Sequence, residues 1–230
     1  MPSIEQKGNR SVVFAASHEY GNLGIGYMAS MLGSKGFETT LIDIHNSKEN
    51  FYRIIKELNP VFIGLSVIYQ YNIDFFIDLV DFLRKYGISN HITAGGHYAS
   101  LRYMDLFRFI PFLDSVVRFE GEYTITEMAE KLYRNRNWKT VRGIAFREAD
   151  KIIVNPLRTP EKDLDRFPYP MRAPLGMYAF NRKMATIVAG RGCVHNCAFC
   201  NQKEFYIRSG GPAKRIRKPE NVVGEMRFLH

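Results

Sequence analysis

The chain has 230 residues, of which 46% are hydrophobic and 24% charged, and its formal net charge is +9. This composition argues against a disordered chain or a fibrous repeat, and the length suits one large domain or one domain with part of a second. No apolar stretch approaches the roughly 18 residues that a membrane span needs, and the polar start does not resemble a secretory signal, so we expect a cytoplasmic protein without a membrane span.

Residues 11–134 alternate short β-branched runs with amphipathic helical stretches. The predicted strands are 11–16, 38–43, 61–66, 91–94 and 115–118, and the predicted helices are 22–35, 48–58, 71–86, 99–109 and 123–134. Strands that alternate with helices in this way favour right-handed crossovers and a parallel sheet covered on both faces. The pattern therefore predicts a doubly wound α/β domain with a five-stranded parallel sheet.

The remaining chain is more irregular. A predicted hairpin at 141–147 and 151–154 precedes a proline-rich linker, a strand at 185–189 and a helix that begins at 219. One strand, one loop and one helix form a single β/α unit, so we expect the first unit of a partial TIM-like barrel and a chain truncated after it. The predicted divisions are a domain at 1–140, a hairpin and linker at 141–176, and a third region at 177–230.

Positive charge is concentrated in the third region. Ten Lys or Arg and three Glu lie within 177–230, so this segment carries seven of the nine net positive charges. Such an excess suits an anionic cofactor, an acidic electron donor or substrate phosphates. No interleaved aromatic and basic repeat accompanies it, which argues against nucleic acid as a partner.

Three cysteines lie within eight residues of this region, and the chain has no others. Cys193, Cys197 and Cys200 form the pattern C-x3-C-x2-C. An odd, clustered set argues against a disulfide framework and for a metal site. Three thiolates on one short loop can hold three irons of a four-iron cluster and leave the fourth iron open. The alternatives are a structural or electron-transfer cluster, or a structural zinc site with His195 as fourth ligand.

This spacing, with an aromatic residue immediately before the last cysteine, resembles the defining motif of the radical S-adenosylmethionine superfamily. The run from Arg215 into the helix that contains Glu225 is also similar to the segment after the cysteine loop in that family. The resemblance implies a 4Fe-4S cluster that binds S-adenosylmethionine and cleaves it reductively to a 5′-deoxyadenosyl radical. It also implies that Phe199 lies near the adenine.

The front domain resembles the cobalamin-binding branch of the same superfamily. That branch carries Asp-x-His-x-x-Gly after the first strand, then Ser-x-Leu, then Gly-Gly. Here the matching runs are Ala16-Ser-His18-Glu-Tyr-Gly21, Ser66-Val-Ile68, Gly95-Gly96-His97-Tyr-Ala-Ser and Val117-Arg-Phe119-Glu-Gly121-Glu122. Each run comes after a predicted strand, and open α/β sheets bind ligands at the carboxyl ends of their strands.

The resemblance implies roles for these residues in binding cobalamin. Ser66, Gly95, Gly96, His97 and Gly121 are expected to contact the cofactor. His18 is a candidate axial ligand of cobalt, although Ala16 stands where a carboxylate would fix its tautomer, and many relatives leave cobalt without a protein histidine. The family usually has glycine where Phe119 stands, so this ring is expected to reshape the edge of the corrin site.

The resemblance implies a cobalamin-dependent radical enzyme that transfers a methyl group to an unactivated carbon, with methylcobalamin as donor. The alternatives are a radical cyclase of the tetrapyrrole-cyclase type and a cobalamin-binding module without turnover, and the isolated chain is a candidate for an inactive fragment. Expected partners are a small-molecule or peptide substrate and reduced flavodoxin or ferredoxin as electron donor. The sequence indicates no catalytic side chain.

Overall fold

The computed structural model describes residues 9–17, 22–172, 177–179 and 182–229. Its strands are β1 (Ser11–Ala16), β2 (Glu38–Asp43), β3 (Phe62–Ser66), β4 (His91–Gly95), β5 (Ser115–Val117), β6 (Ile144–Glu148), β7 (Lys151–Val154), β8 (Met177–Ala179), β9 (Arg182–Met184), β10 (Gly190–Gly192) and β11 (Lys214–Ile216). Its helices are α1 (Leu23–Gly33), α2 (Lys48–Leu58), α3 (Ile73–Lys85), α4 (His97–Leu101), α5 (Tyr103–Phe109), α6 (Glu122–Tyr133), α7 (Gln202–Arg208) and α8 (Pro219–Leu229). None of these helices is long and apolar enough to cross a membrane.

Within the described residues, seven strands form the main sheet in the order β2-β1-β3-β4-β5-β6-β7. The first five are parallel, as predicted, and β6 and β7 extend the sheet as an antiparallel hairpin. The order reverses between β1 and β3, which is the point where an open α/β sheet has a crevice for a ligand. The prediction of a doubly wound α/β fold is confirmed.

Two hydrophobic cores lie on the two faces of this sheet. Because successive strand residues face opposite sides, Val13 and Ala15 of β1 pack with α2 and α3, whereas Val12 and Phe14 pack with α1 and α6. The inner strands β1 and β3 are almost wholly apolar and buried, as expected for a parallel sheet that is covered on both faces, whereas β2 at the edge is more polar and exposed. Because helices pack on both faces of the sheet, the carboxyl ends of the parallel strands are held next to one another along one edge.

Two local predictions differ from the structure. The predicted helix 99–109 is divided into α4 and α5, because Arg102 leaves the helical conformation (φ −127°). The predicted strand 185–189 does not form; instead its carbonyl groups accept hydrogen bonds from arginines, with Arg172 bonded to Thr186 at 2.6 Å and Arg217 to Val188 at 2.9 Å. The Ala189 carbonyl accepts from the Arg217 backbone amide at 2.9 Å, immediately beside the β10–β11 pair.

The region that carries the cysteines contains two short antiparallel strand pairs instead of the single predicted β/α unit. The strands β10 and β11 pair antiparallel on either side of the cysteine loop and α7, and the strands β8 and β9 form a second antiparallel pair. The helix α8 forms as predicted. The linker reaches this region along α1, where the Met171 amide donates to the Gly26 carbonyl at 3.0 Å and a side chain at position 26 would overlap the Met171 carbonyl.

The buried carboxylate of Glu225 fastens α8 to the linker and to the segment that follows β11. The Glu225 side chain is 0% exposed and forms ion pairs with Arg217, which is 3% exposed, and with Arg172. The Arg217 guanidinium also bonds the Asn221 amide oxygen at 2.9 Å. A buried carboxylate between two arginines is tolerated because the charges are paired, so loss of the carboxylate removes the counter-charge that both arginines share.

We predict that Glu225→Ala lowers the free energy of unfolding by about 3–5 kcal/mol, since it leaves two arginines without their carboxylate. The matched control is Glu204→Ala, which removes an exposed carboxylate 2.9 Å from Arg208 and is expected to cost at most about 1 kcal/mol. Urea unfolding followed by circular dichroism measures both values. Equal effects of the two substitutions would contradict this assignment.

Candidate functional site

A cavity of about 500 Å³ opens at the carboxyl edge of the sheet, between the strand ends and the segment that carries the cysteines. Its volume lies within the range of about 300–1,000 Å³ that is usual for ligand pockets. Five residues that the sequence predicted for cobalamin line it together: Ser66, Gly95, Gly96, His97 and Gly121. The sixth, His18, lies outside the described residues, so its proposed role as an axial ligand stays a prediction.

Two glycines give this cavity its close backbone walls. The backbone of Gly96 has φ +110°, which is strained for any other residue, and a Cβ there would lie 2.8 Å from the Val67 carbonyl oxygen. A Cβ at Gly64 would lie 2.4 Å from the Phe14 ring. Because the Val67 amide also donates to the Gly95 carbonyl at 2.8 Å, the loops after β3 and β4 are held together as one wall.

His97 brings an unsatisfied polar atom to the mouth of the cavity. Its Nε2 is buried and makes no hydrogen bond with the described residues. Burial lowers the pKa of His97, against a smaller opposite effect of the Gln202 side chain, so the imidazole is neutral at pH 7. An unsatisfied buried nitrogen costs free energy that a ligand with polar groups recovers. Cobalamin, whose corrin ring carries amide side chains, fits this requirement.

Aromatic rings cover the same mouth. The Phe205 ring of α7 stacks on His97 with 4.2 Å between centroids and meets the Phe119 ring at 5.2 Å. Phe119 has φ +66°, a conformation that suits glycine, and its amide is held by the Ser100 hydroxyl at 2.7 Å. Phe119 therefore lines the cavity, and its expected effect on the edge of a corrin stays a prediction. The sequence analysis missed α7, a short helix whose Phe205 reaches residues about 86 and 108 positions earlier in the chain.

Charged side chains form the wall on the side of the cysteine loop. Arg191 lies 3.2 Å from one Glu120 oxygen and 2.6 Å from a Glu122 oxygen, and Arg215 donates to Glu120 at 3.0 Å. Burial alone would lower the pKa of Arg191, but Glu122 and Glu120 raise it above its ordinary value. The guanidinium is therefore permanently charged. Glu120, Glu122 and Arg215 lie in runs that resemble family segments, but no sequence pattern indicated that they pair with one another or with Arg191.

The cysteine loop lies beside this wall at the protein surface. Cys197 and Cys200 are exposed, Cys193 is half-buried, and Phe199 is 93% exposed. The His195 amide donates to the Cys193 sulfur at 3.4 Å, and the Cys200 amide donates to the Cys197 carbonyl at 3.1 Å. Across the described ranges, no three His, Cys, Asp or Glu side chains are grouped closely enough to hold a metal ion. The donor set itself, three free thiols of which one already accepts an amide hydrogen bond, has the chemistry that an iron–sulfur cluster requires.

Comparisons with known proteins agree with the front domain's geometry. The family model described as "B12 binding domain" matches residues 9–129. An uncharacterised methyltransferase of Pyrococcus horikoshii is 26% identical over 214 residues, covering 90% of this chain and 45% of that protein. The anaerobic magnesium-protoporphyrin IX monomethyl ester cyclase of Synechocystis sp. is 30% identical over 152 residues, covering 65% of this chain and 30% of the cyclase.

A solved structure has a similar fold over almost the whole chain. The radical S-adenosylmethionine methyltransferase TsrM of Kitasatospora setae superposes with a TM-score of 0.75 at 17% identity, covering 96% of this chain and 45% of TsrM. The chain spans less than half the length of each of these three proteins. Since the matched B12-binding model covers more than half of its residues, including every described cavity residue that the sequence had predicted, the chain belongs to the B12-binding domain family.

Proposed function

We propose that this protein is part of a cobalamin-dependent radical S-adenosylmethionine enzyme that transfers a methyl group to an unactivated carbon. The observation that carries the proposal is one juxtaposition: a cavity formed by the predicted cobalamin residues lies directly against the base of a loop with three free cysteines. The methyltransferase of P. horikoshii, similar over 90% of this chain, supports the choice of methyl transfer.

The cavity would hold the nucleotide tail of cobalamin. It is the size of a small organic ligand, so it suits one arm of this large cofactor better than the whole molecule. The Ser66 hydroxyl, which lies 3.5 Å from the Asn22 amide nitrogen, is a hydrogen-bonding group for the base. Gly95 and Gly96 let the tail approach the backbone, and the free Nε2 of His97 would bind a polar group near the corrin.

Cys193, Cys197 and Cys200 would hold three irons of a 4Fe-4S cluster. When bound, the cluster would supply the electron that cleaves S-adenosylmethionine, and cobalamin would carry the methyl group that is transferred. The chain keeps the three cysteines on one loop and donates the His195 amide to the Cys193 sulfur. The exposed ring of Phe199, immediately before Cys200, would then contact the adenine of S-adenosylmethionine. Hydrogen bonds to cluster sulfurs adjust its reduction potential.

A radical cyclase of the tetrapyrrole-cyclase type is the second candidate. The observation that favours it is the 30% identity with the magnesium-protoporphyrin cyclase of Synechocystis sp., although that match covers a smaller part of this chain than the methyltransferase match. Incubation with labelled S-adenosylmethionine distinguishes the two, since only a methyltransferase moves the labelled methyl group into its product. A binding module without turnover yields no 5′-deoxyadenosine.

The proposed chemistry requires two partners, a substrate and an electron donor, and we include both in the proposal. A small-molecule or peptide substrate would supply the carbon that is methylated, and reduced flavodoxin or ferredoxin would supply electrons. Two lysines that follow the cysteine loop would provide positive charge for an acidic donor: Lys203 in α7, and Lys214, which pairs with Gly192 across the β10–β11 ladder.

We predict that Gly96→Ala weakens hydroxocobalamin binding by at least about tenfold, because the new Cβ meets the Val67 carbonyl and the backbone cannot keep its φ of +110°. Visible difference spectra at increasing hydroxocobalamin concentration give the dissociation constant. The matched control is Gly33→Ala in α1, where a Cβ meets nothing within 4 Å. Unchanged affinity in a folded Gly96→Ala variant would contradict the placement of the cofactor.

We further predict that Cys193→Ala, Cys197→Ala and Cys200→Ala each abolish stable 4Fe-4S reconstitution, because the chain has no other thiol to replace the lost ligand. Bound iron and sulfide are measured after anaerobic reconstitution, together with 5′-deoxyadenosine formed from S-adenosylmethionine and dithionite by the full-length protein. His195→Ala is the control and should keep full iron content. Stoichiometric zinc that is lost in His195→Ala would instead favour a zinc site.

A further inference from the structure

Four buried charges connect the cavity wall to the base of the cysteine loop. Glu120 and Glu122 both line the cavity and come after β5, whereas Arg191 belongs to β10 and lies two residues before Cys193. The side chains of Arg191 and Glu120 are 10% exposed, and that of Glu122 is 5% exposed. Arg215, 4% exposed, binds the second Glu120 oxygen and completes a neutral set of two positive and two negative charges.

Arg191 is held rigidly in this set. Its guanidinium packs over the rings of Tyr27 and Phe167 at 5.0 and 4.9 Å, so it has both ionic and aromatic partners. Two different carboxylates bind its two terminal nitrogens. Only arginine can bind two carboxylates through two separate nitrogens in this way. A lysine ammonium is a single point charge and would replace only part of these bonds to Glu120 and Glu122.

The backbone carries this restraint to the first cysteine. Arg191 pairs with Arg215 across the β10–β11 ladder, and Gly192 pairs with Lys214. Gly192 has φ +87°, and a Cβ there would lie 2.0 Å from the Ala213 carbonyl oxygen, so the two strands approach very closely at this point. Because the Arg191 guanidinium is fixed and β10 lies close against β11, the backbone that leads into Cys193 can move little.

We propose that Arg191 is a positioning residue that couples the cobalamin cavity to the cysteine loop, through its bonds to Glu120 and Glu122. A ligand that fills the cavity contacts the loop that carries Glu120 and Glu122 and restricts the motion of that loop. Because Arg191 is bonded to both carboxylates, Cys193, two residues after Arg191, becomes less mobile as well. Linkage requires the reverse as well, so a restrained cysteine loop favours cobalamin binding. This inference depends on the proposed function in one respect, which is that the ligand of the cavity is cobalamin.

The test measures how fast iodoacetamide alkylates each cysteine in the metal-free, reduced full-length protein, with and without saturating hydroxocobalamin. In the wild-type protein we expect cobalamin to slow the alkylation of Cys193 by about fivefold or more, the lower range of typical coupling between sites. In Arg191→Gln the cysteine should react faster without cobalamin, and bound cobalamin should no longer slow it. Arg191→Lys should restore part of the protection.

Two further variants keep the test decisive. Arg191→Gln combined with Glu122→Gln removes one charge of each sign, so the remaining Glu120 and Arg215 stay paired and the protein is expected to fold. Arg208→Gln removes an exposed ion pair on α7 and should react like the wild type. A folded double variant in which bound cobalamin still protects Cys193 as in the wild type would overturn the proposal, as would a wild-type protein that binds cobalamin without any protection.

Failure of the proposed function gives a different result. If hydroxocobalamin leaves no spectral trace of binding to the wild-type protein, the cavity has another ligand and the proposed function fails. The positioning role is then decided by the alkylation rates without ligand. Faster reaction of Cys193 in the double variant than in the wild type and in Arg208→Gln supports it, and equal rates overturn it.

Discussion

Buried arginine–carboxylate pairs hold the cysteine-bearing segment to the sheet domain, and the relation between the two parts depends on them. Arg191 and Arg215 of that segment pair with Glu120 and Glu122 of the sheet domain, whereas the Arg217–Glu225 pair fastens α8 within the segment itself. Charges with so little exposure are tolerated only as pairs, because an unpaired buried charge is strongly unfavourable. The segment therefore has one satisfactory position, in which the cysteine loop lies beside the mouth of the cavity.

The cavity itself is a consequence of the parallel sheet. Five strands that run in one direction bring their carboxyl ends to one edge, so loops far apart in sequence converge there. Within that edge the close approach of Gly96 to the Val67 carbonyl makes one wall of the cavity, and His97 and Phe205 also line it. A neutral, unsatisfied imidazole beside aromatic rings is a suitable surface for a large cofactor that presents both apolar faces and amides.

Much of this arrangement could be predicted from local sequence. The five parallel strands are indicated by short apolar runs, and the residues that line the cavity by polar or glycine positions just after those runs, as with Ser66 and Gly96. The ion pairs could not be predicted, because Glu120 and Arg215 are 95 positions apart and the runs that contain them do not indicate that they meet. The strand predicted at 185–189 was wrong; the Thr186 and Val188 carbonyls there accept from the side chains of Arg172 and Arg217, which no local pattern indicates.

The central claim is that the cavity receives the nucleotide tail of cobalamin. The most direct test compares the binding of hydroxocobalamin with that of cobinamide, which has the corrin ring but lacks the nucleotide tail, by difference spectroscopy on the full-length protein. The account predicts that one cobalamin binds per chain and that cobinamide binds at least about tenfold more weakly. Equal affinity for the two compounds would show that the tail is not recognised and would contradict the account.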